Sequence, residues 1–142
     1  MDLIPRHLNS LEERTSVFDL YHQLNPRLDK AQFEQRMAAL MQHKNYHLLG
    51  VFMGDTCVAI SGYWIGVKLY CGTYLEPDNV VVDRNHRSAG IGEFLQKELE
   101  KIAAENHCEA MMLDAYLENT RGHSFYERHG YVRKGYHFVK KL

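Results

Sequence analysis

Apolar residues in the first third of the chain recur three or four positions apart, which is the spacing of one helix face. A first helical stretch begins near Leu11 and ends at Asn25-Pro26, because proline cannot continue a helix and restrains the residue before it. Asp29 is a candidate cap for a second helix. The apolar face of that second helix is Phe33, Met37, Leu40 and Met41.

The middle of the chain has the composition of strands. Residues 46–53 and 56–65 are rich in β-forming side chains, and Gly54-Asp55 between them is a turn pair, so the two segments predict a hairpin. A third strand is predicted over residues 70–82. Pro77 interrupts it, and proline inside a strand indicates a bulge or a sheet edge.

The last third of the chain alternates between the two kinds of pattern. A helix is predicted from residue 91 to residue 102, with Glu93 and Lys97 as a favourable pair on its polar side. Residues 110–115 predict a short apolar strand, residues 119–129 a short helix ended by Gly130, and residues 131–139 a closing strand. This order predicts a layered α/β (α+β) fold with mixed strand directions, in a single domain over residues 1–142.

The composition argues against several classes of protein. Seventeen Lys and Arg against eighteen Asp and Glu give a net charge of −1, which argues against a nucleic-acid partner. No apolar run reaches the ~18–20 residues that span a membrane, and the N-terminus lacks the pattern of a signal peptide. The cysteines at 57, 71 and 108 are too few and too widely spaced to predict a disulfide framework. Nine histidines occur without a paired-ligand spacing, so no metal is expected. Because no disulfide framework, membrane span or signal peptide is predicted, we expect a cytoplasmic protein.

The most informative segment is Arg87-Ser88-Ala89-Gly90-Ile91-Gly92, where a predicted strand leads into a predicted helix. Such a junction exposes unpaired backbone N–H groups at the positive end of the helix dipole. Glycine lets an anion approach the backbone and arginine adds a positive charge, so the segment predicts a phosphate-binding turn. The Walker pattern GxxxxGK(S/T) is absent, and Leu95 stands where a Rossmann turn needs its third glycine. A plain loop with two capping glycines is the alternative.

This segment resembles the pyrophosphate-binding motif Q/R-x-x-G-x-G/A of the GNAT family of N-acetyltransferases, and every defining position matches. Residues 119–131 read Asn-Thr-Arg-Gly-His-Ser-Phe-Tyr-Glu-Arg-His-Gly-Tyr and resemble a second family pattern, N-x-x-A-x-x-F-Y-x-x-x-G-F/Y. Gly122 departs from that pattern, since alanine is usual there. The resemblance covers residues 75–142 and is weaker over residues 1–70.

The resemblance implies a mixed, mostly antiparallel sheet with two splayed parallel central strands and helices on both faces. Acetyl-CoA would lie between the two parallel strands, one ending at Val82 and one passing through Leu113, with a bulge around residues 78–80. Backbone groups of Val80 and Val82 would pair with the pantetheine arm, and a strand N–H would polarise the thioester carbonyl. Asn119 would bond the pantetheine, cap its own helix, or do both. The cofactor-binding residues implied in this way are Val80, Val81, Val82, Arg87, Ser88, Ala89, Gly90, Ile91, Gly92, Glu93, Asn119 and Tyr126.

The resemblance also implies catalytic roles. Tyr126 would lie near the sulfur of acetyl-CoA, and a phenol with a pKa of about 10 can donate a proton to a departing thiolate with a pKa of about 8.5. The alternative for Tyr126 is an amphipathic core residue. Glu76 and Asp78 are the candidate bases, because the family often places a base on this strand. A two-residue period would put both on one face with Val80 and Val82. Their alternative is a pair of solvated bulge residues.

We therefore expect an acetyl-CoA-dependent N-acetyltransferase that works by direct attack of a primary amine in a ternary complex. The expected acceptor is a small-molecule or peptide amine, because the predicted N-terminal helices carry mixed charge that fits either. Dimers are common in the family, so a homodimer is an open option. The rival interpretation is a catalytically silent acyl-CoA-binding sensor or interaction module, and a scaffold that binds no nucleotide is a third.

Overall fold

Strands and helices follow one another largely as predicted, with one further strand at the start of the chain. The structure, a computed structural model, describes residues 2–87 and 89–142. Its strands are β1 (Leu3–His7), β2 (Tyr46–Met53), β3 (Thr56–Lys68), β4 (Gly72–Val82) and β5 (Ala110–Met111). Its helices are α1 (Leu11–Thr15), α2 (Phe18–Leu24), α3 (Lys30–Leu40), α4 (Ile91–Glu105) and α5 (Thr120–Arg128), with a 3-10 turn at Arg84–His86.

The five strands form one mixed sheet in the order β1-β2-β3-β4-β5. The first three pairings are antiparallel, and β4 and β5 are parallel, with Tyr74 opposite Ala110 and Leu75 opposite Met111. The predicted α/β fold with a mostly antiparallel mixed sheet is confirmed. The strand β1 was not predicted, because it is an edge strand whose proline, Pro5, weakens the β pattern; sheet edges are where proline is tolerated.

The chain divides into two compact units, one ending at Met111 and the other running from Met112 to Leu142. In the first unit, strand side chains alternate between two cores. Leu48, Ile60 and Val81 pack with side chains of α2 and α3, on what we call the α2/α3 face. Leu49 and Leu75 pack with side chains of α4, on the α4 face. The sheet therefore carries helices on both of its faces, as expected from a two-residue side-chain period.

The helix ends follow local sequence signals. The predicted cap of α3 is confirmed, because the Asp29 side chain accepts a hydrogen bond from the Gln32 N–H at 2.9 Å. The first predicted helix is two helices, α1 and α2, which are separated at residues 16–17. Ser10 and Glu13 form a reciprocal capping box that begins α1, a motif that satisfies two N–H groups at once.

The second unit contains α5 as its regular element among the described residues. Asn119 caps α5 through a hydrogen bond from the Gly122 N–H at 3.0 Å, and Gly130 follows the helix at φ 92°. The strand predicted over residues 131–139 is wrong for this structure, and that predicted over residues 110–115 shortens to Ala110–Met111. A strand exists only where its backbone groups pair with a neighbour, and sequence propensity does not supply that neighbour.

Candidate active site

The strand β4 contains the predicted bulge. Gly62 of β3 lies opposite Asp78, whereas Ile60 lies opposite Val81, so β4 has one residue more than β3 over this stretch. Asn79 takes up the extra length with a left-handed backbone at φ 56°. Asparagine tolerates this conformation better than most residues, and bulges of this kind re-aim the side chains around them.

The bulge reverses which residues of β4 share a face. Leu75, before it, and Val80 and Val82, after it, belong to the core on the α4 face, although an unbroken two-residue period would separate them. Glu76 and Asp78 therefore lie on the opposite, α2/α3 face. The expectation that these two acids share a face with Val80 and Val82 is wrong, because one extra residue shifts the side-chain period by one.

Beyond the bulge, one edge of β4 has no neighbouring strand in the described part of the chain. The Asp83 N–H donates to the Val58 carbonyl of β3 at 2.8 Å, so by strand alternation the N–H and C=O of Val82 point to the other edge. The strand β5 pairs only with Tyr74 and Leu75 on that edge. The backbone groups of Val82 thus have no strand partner among the described residues, and contacts of Val80, Val81 and Val82 with a cofactor stay a prediction.

The helix α4 begins without a side-chain cap. Its N-cap is Gly90, at φ 75° in the left-handed region that favours glycine, and no side chain bonds its first turn among the described residues. The first intrahelical bond runs from the Phe94 N–H to the Gly90 carbonyl at 3.0 Å. The N–H groups of Ile91, Gly92 and Glu93 precede that bond, so they have no carbonyl partner within the helix.

The remaining residues of the predicted turn flank this helix start. Arg87 and Ala89 are exposed, and no described residue forms an ion pair with Arg87. Ser88 lies outside the described residues. The Ile91 side chain is buried in the α4-face core and anchors the first turn. Glu93 forms the predicted pair with Lys97 at 3.5 Å, so its carboxylate is held on the outer side of the helix.

Asp83 organises the loop between β4 and this turn, and sequence reasoning missed it. Its carboxylate accepts from the Gln23 amide at 3.0 Å and from the Asn85 N–H at 3.3 Å, and it pairs with the His86 ring at 2.9 Å. Burial opposes ionisation of Asp83, but the bonds from Gln23, Asn85 and His86 together outweigh it and lower the pKa. The sequence signal for this role is an acid directly after a strand. Such a side chain can accept a hydrogen bond from the N–H two residues later and so cap a turn.

A group of polar and aromatic side chains surrounds Asp78 on the α2/α3 face. We call it the Asp78 cluster; its members are Arg14, Tyr21, Tyr46, Trp64 and Asp78. The Trp64 ring N–H donates to the Asp78 carboxylate at 3.4 Å, and the Tyr46 and Trp64 rings lie 5.0 Å apart. The Tyr46 hydroxyl lies over Gly62, where a Cβ would collide with it.

The deep end of the Asp78 cluster holds two polar groups that the fold leaves incompletely satisfied. Arg14 is buried; its Nε donates to the Leu8 carbonyl at 2.8 Å, but its Nη1 has no hydrogen-bond partner. The Tyr21 hydroxyl is close enough to Tyr46 to interact with it, yet it lacks a partner in regular hydrogen-bond geometry. Burial raises the pKa of both tyrosines, so both phenols are neutral at physiological pH. Sequence reasoning gave Arg14 no role.

Asn119 and Tyr126 lie in the second unit. Asn119 has the plain capping role that was one of its two expectations. Tyr126 is half-buried, and its ring contacts Phe125 and Tyr131 at centroid distances of 5.4 and 5.6 Å. Burial raises the pKa of Tyr126, so the phenol keeps its proton at neutral pH. The contact of either residue with a bound cofactor stays a prediction.

Three further observations concern metal ligands, membrane spans and cysteines. Within residues 2–87 and 89–142, no group of three or more His, Cys, Asp or Glu residues is arranged to hold a metal ion. Over the same residues, no helix has both the length and the apolar character needed to cross a membrane. The three cysteines are free thiols, and burial raises the pKa of Cys57 to about 11, which disfavours its reactive thiolate.

Comparison with known proteins gives a consistent result. Residues 11–131 match the acetyltransferase (GNAT) family. A Bacillus subtilis (strain 168) protein, named the uncharacterized N-acetyltransferase YhdJ, is 25% identical over 96% of this chain and 97% of its own length.

Solved structures of similar fold include acetyltransferases. A GNAT family acetyltransferase from Staphylococcus aureus superposes with a TM-score of 0.81 at 22% identity, with both chains fully covered. The protein AAC(6')-Iy, solved with the bisubstrate analogue CoA-S-monomethyl-acetylneamine, superposes with a TM-score of 0.83 at 16% identity, over 100% of this chain and 99% of the other. Likeness at these identities supports the fold of the chain.

Proposed function

This chain belongs to the acetyltransferase (GNAT) family, and we propose that it transfers an acetyl group from acetyl-CoA to a primary amine of a small molecule or peptide. Acetyl-CoA supplies the activated acetyl group as a thioester. The main observation in support is the start of α4, where Gly90 is the N-cap and no side chain caps the helix. This helix follows the bulged strand β4 in a chain of this family.

We propose that the start of α4 binds the pyrophosphate of acetyl-CoA. The N–H groups of Ile91, Gly92 and Glu93 lack helical partners, and the helix dipole places positive potential at the same end. Gly90 and Ala89 belong to the same turn, and Arg87 supplies a full positive charge near it. The family motif and the local geometry both support this proposal.

The open edge of β4 is proposed to receive the pantetheine arm. The backbone groups of Val82 point away from β3, and Val80 shares the same side-chain face. An N–H on this edge is suited to stabilise the negative charge that develops on the carbonyl oxygen during acyl transfer. On the family resemblance, Asn119 and Tyr126 are also proposed to contact acetyl-CoA.

The acceptor amine is proposed to meet Asp78 on the α2/α3 face. An amine is protonated at neutral pH and must lose a proton before attack, and a carboxylate can accept that proton as a general base. Asp78 is the better supported of the two candidates, because it accepts from Trp64 inside the Asp78 cluster and directly precedes the bulge residue Asn79. Glu76, opposite Trp64 in β3, is the second candidate. Tyr126 is proposed as the acid that returns a proton to the leaving thiolate.

The cofactor site is tested by calorimetric titration of acetyl-CoA into the wild-type protein and the Arg87→Ala variant. A hydrogen bond to a charged group contributes about 1.5–3 kcal/mol, so we expect Arg87→Ala to weaken binding by about 10- to 100-fold. Arg84→Ala makes the same charge change three positions earlier and serves as the control. Equal affinities of the two variants for acetyl-CoA would contradict the assignment of pyrophosphate binding to the turn at Arg87.

The transfer itself is tested by following thiol release from acetyl-CoA with a broad panel of primary amines. Release that depends on an amine, together with a mass increase of that amine by one acetyl group, supports the proposal. Binding of acetyl-CoA without turnover across the panel favours the silent sensor or interaction module. An absence of acetyl-CoA binding would leave only the scaffold interpretation.

A further inference from the structure

Gln23, near the end of α2, bonds the loop after β4 with both ends of its amide. Its Nε2 donates to the Asp83 carboxylate at 3.0 Å, and its Oε1 accepts from the Arg84 N–H at 3.0 Å. We call these two bonds the Gln23 clamp. They join segments that are sixty and sixty-one positions apart in sequence. A side-chain amide can satisfy a neighbouring acceptor and donor together, which neither a carboxylate nor an ammonium group can do.

The rest of the loop is tied mainly to itself and to its own sheet. The Asp83 N–H bonds the Val58 carbonyl at 2.8 Å, and the His86 N–H bonds the Asp83 carbonyl at 2.9 Å. The Asp83 carboxylate holds the Asn85 N–H and the His86 ring. Among the described residues, the two clamp bonds are the hydrogen bonds that the loop receives from a helix, and Gln23 is half-buried in making them.

We propose that Gln23 is a positioning residue for the pyrophosphate-binding turn. The loop held by the clamp, residues 83–87, leads directly into the turn at Arg87 and Gly90. A loop that is already fixed in one conformation loses less freedom when a ligand binds, so binding is tighter. This inference rests on the proposed function, because it assigns Gln23 a part in holding acetyl-CoA.

The first test removes both clamp bonds. Gln23→Met keeps a side chain of similar length but offers neither donor nor acceptor. We expect its affinity for acetyl-CoA, measured by calorimetry, to be about 5- to 20-fold weaker than that of the wild type. Circular dichroism checks that the variant is folded. Gln35→Met, on an exposed position of α3, is the control and is expected to bind like the wild type.

The second test uses rescue, which a general loss of stability would not show. Gln23→Glu places a second carboxylate opposite Asp83, and we expect it to bind acetyl-CoA as weakly as Gln23→Met. Adding Asp83→Asn supplies a donor to the introduced carboxylate, so the double variant is expected to bind within about threefold of Asp83→Asn alone. Asp83→Asn is expected not to rescue Gln23→Met.

Two results would overturn the inference. One is a Gln23→Met variant with wild-type affinity, and the other is a failure of Asp83→Asn to rescue Gln23→Glu. The wild-type titration separates this inference from the proposed function. Absence of acetyl-CoA binding there rejects both, whereas wild-type binding with an unaffected Gln23→Met variant rejects the clamp alone.

Discussion

At the scale of single residues, Asp78 is the acid of β4 that the Asp78 cluster holds by a hydrogen bond. It accepts from Trp64, it lies on the face opposite Val80 and Val82, and the hydroxyl of Tyr46 lies over the neighbouring Gly62. The bulge at Asn79 has a structural consequence, because it leaves Glu76 and Asp78 on the face opposite Val80 and Val82. Under the proposed function, the Asp78 carboxylate and the β4 backbone groups that bind acetyl-CoA would then approach the reacting group from different sides.

Asp78→Asn is predicted to lower turnover by about 100-fold with an amine that the panel identifies, since removal of a general base typically costs 10²- to 10⁴-fold. Asparagine keeps an oxygen that can accept from Trp64, so the affinity for acetyl-CoA is expected to stay unchanged. Glu76→Gln is the matched variant and is expected to retain most of the turnover. If Glu76→Gln lost turnover and Asp78→Asn did not, the base would be Glu76.

Tyr126→Phe is predicted to lower turnover by about 10- to 100-fold while leaving acetyl-CoA affinity nearly unchanged, because the substitution removes the proton-donating hydroxyl and keeps the ring. Steady-state kinetics and calorimetry measure the two quantities separately. Tyr136→Phe removes a hydroxyl from a highly exposed position of the same unit and is the control. A Tyr126→Phe variant with wild-type turnover would remove this residue from the mechanism.

At the scale of elements, ring side chains of β1, β2 and β3 join the edge strand β1 to the sheet. His7 of β1 bonds the Tyr63 hydroxyl of β3 at 2.7 Å, and the His47 ring of β2 stacks on Tyr63 at a centroid distance of 5.0 Å. Burial lowers the pKa of both histidines, and the charge of Arg14 acts in the same direction. The neutral imidazoles are therefore the forms that suit this packing.

The stability of the sheet is predicted to decrease in mild acid. Below pH 6.5, the ordinary pKa of histidine, the unfolded chain takes up protons on His7 and His47 before the folded chain does. The free energy of unfolding should therefore be greatest above pH 6.5 and fall as the pH drops toward the lowered pKa values. Denaturant unfolding between pH 7.5 and pH 5 measures this slope.

His47→Phe keeps a ring against Tyr63 but removes one titrating group, so it is predicted to flatten that slope. The same substitution at the exposed His22 is the control and should leave the slope unchanged. A slope that is identical in His47→Phe and in the wild type would show that His47 protonates equally in the folded and unfolded chains.

At the scale of the whole molecule, the expected cofactor links binding to stability. A ligand that binds only the folded chain stabilises it by RT ln(1 + [L]/Kd), which is about 2.7 kcal/mol at one hundred times Kd. Acetyl-CoA is therefore predicted to raise the unfolding midpoint of the wild type and to do so less for Arg87→Ala at the same concentration. Fluorescence of Trp64, the single tryptophan, follows the first unit directly. An unchanged midpoint at saturating acetyl-CoA would contradict binding to the folded chain.

The sequence alone determined the features that depend on neighbouring residues. The helix start at Gly90, the cap at Asn119 and the bulge near Pro77 are local, because helix starts, caps and strand interruptions are set by residue types within a few positions of one another. The family resemblance has the same origin, since both motifs are short and contiguous. Sequence also predicted the hairpin of β2 and β3 from its turn pair and its β-forming flanks.

Only the tertiary structure decided which of these residues share a face and which distant residues meet. The face of Glu76 and Asp78 depends on one inserted residue, whose position in the ladder is set by pairing with β3 and not by the local pattern. Gln23 meets Asp83 across sixty positions, and Arg14 comes to lie beside Tyr46, through packing of helices on the sheet. A strand also forms only where its backbone can pair with a neighbouring strand. This is why β1 is a strand despite its weak sequence pattern, whereas residues 131–139 are not.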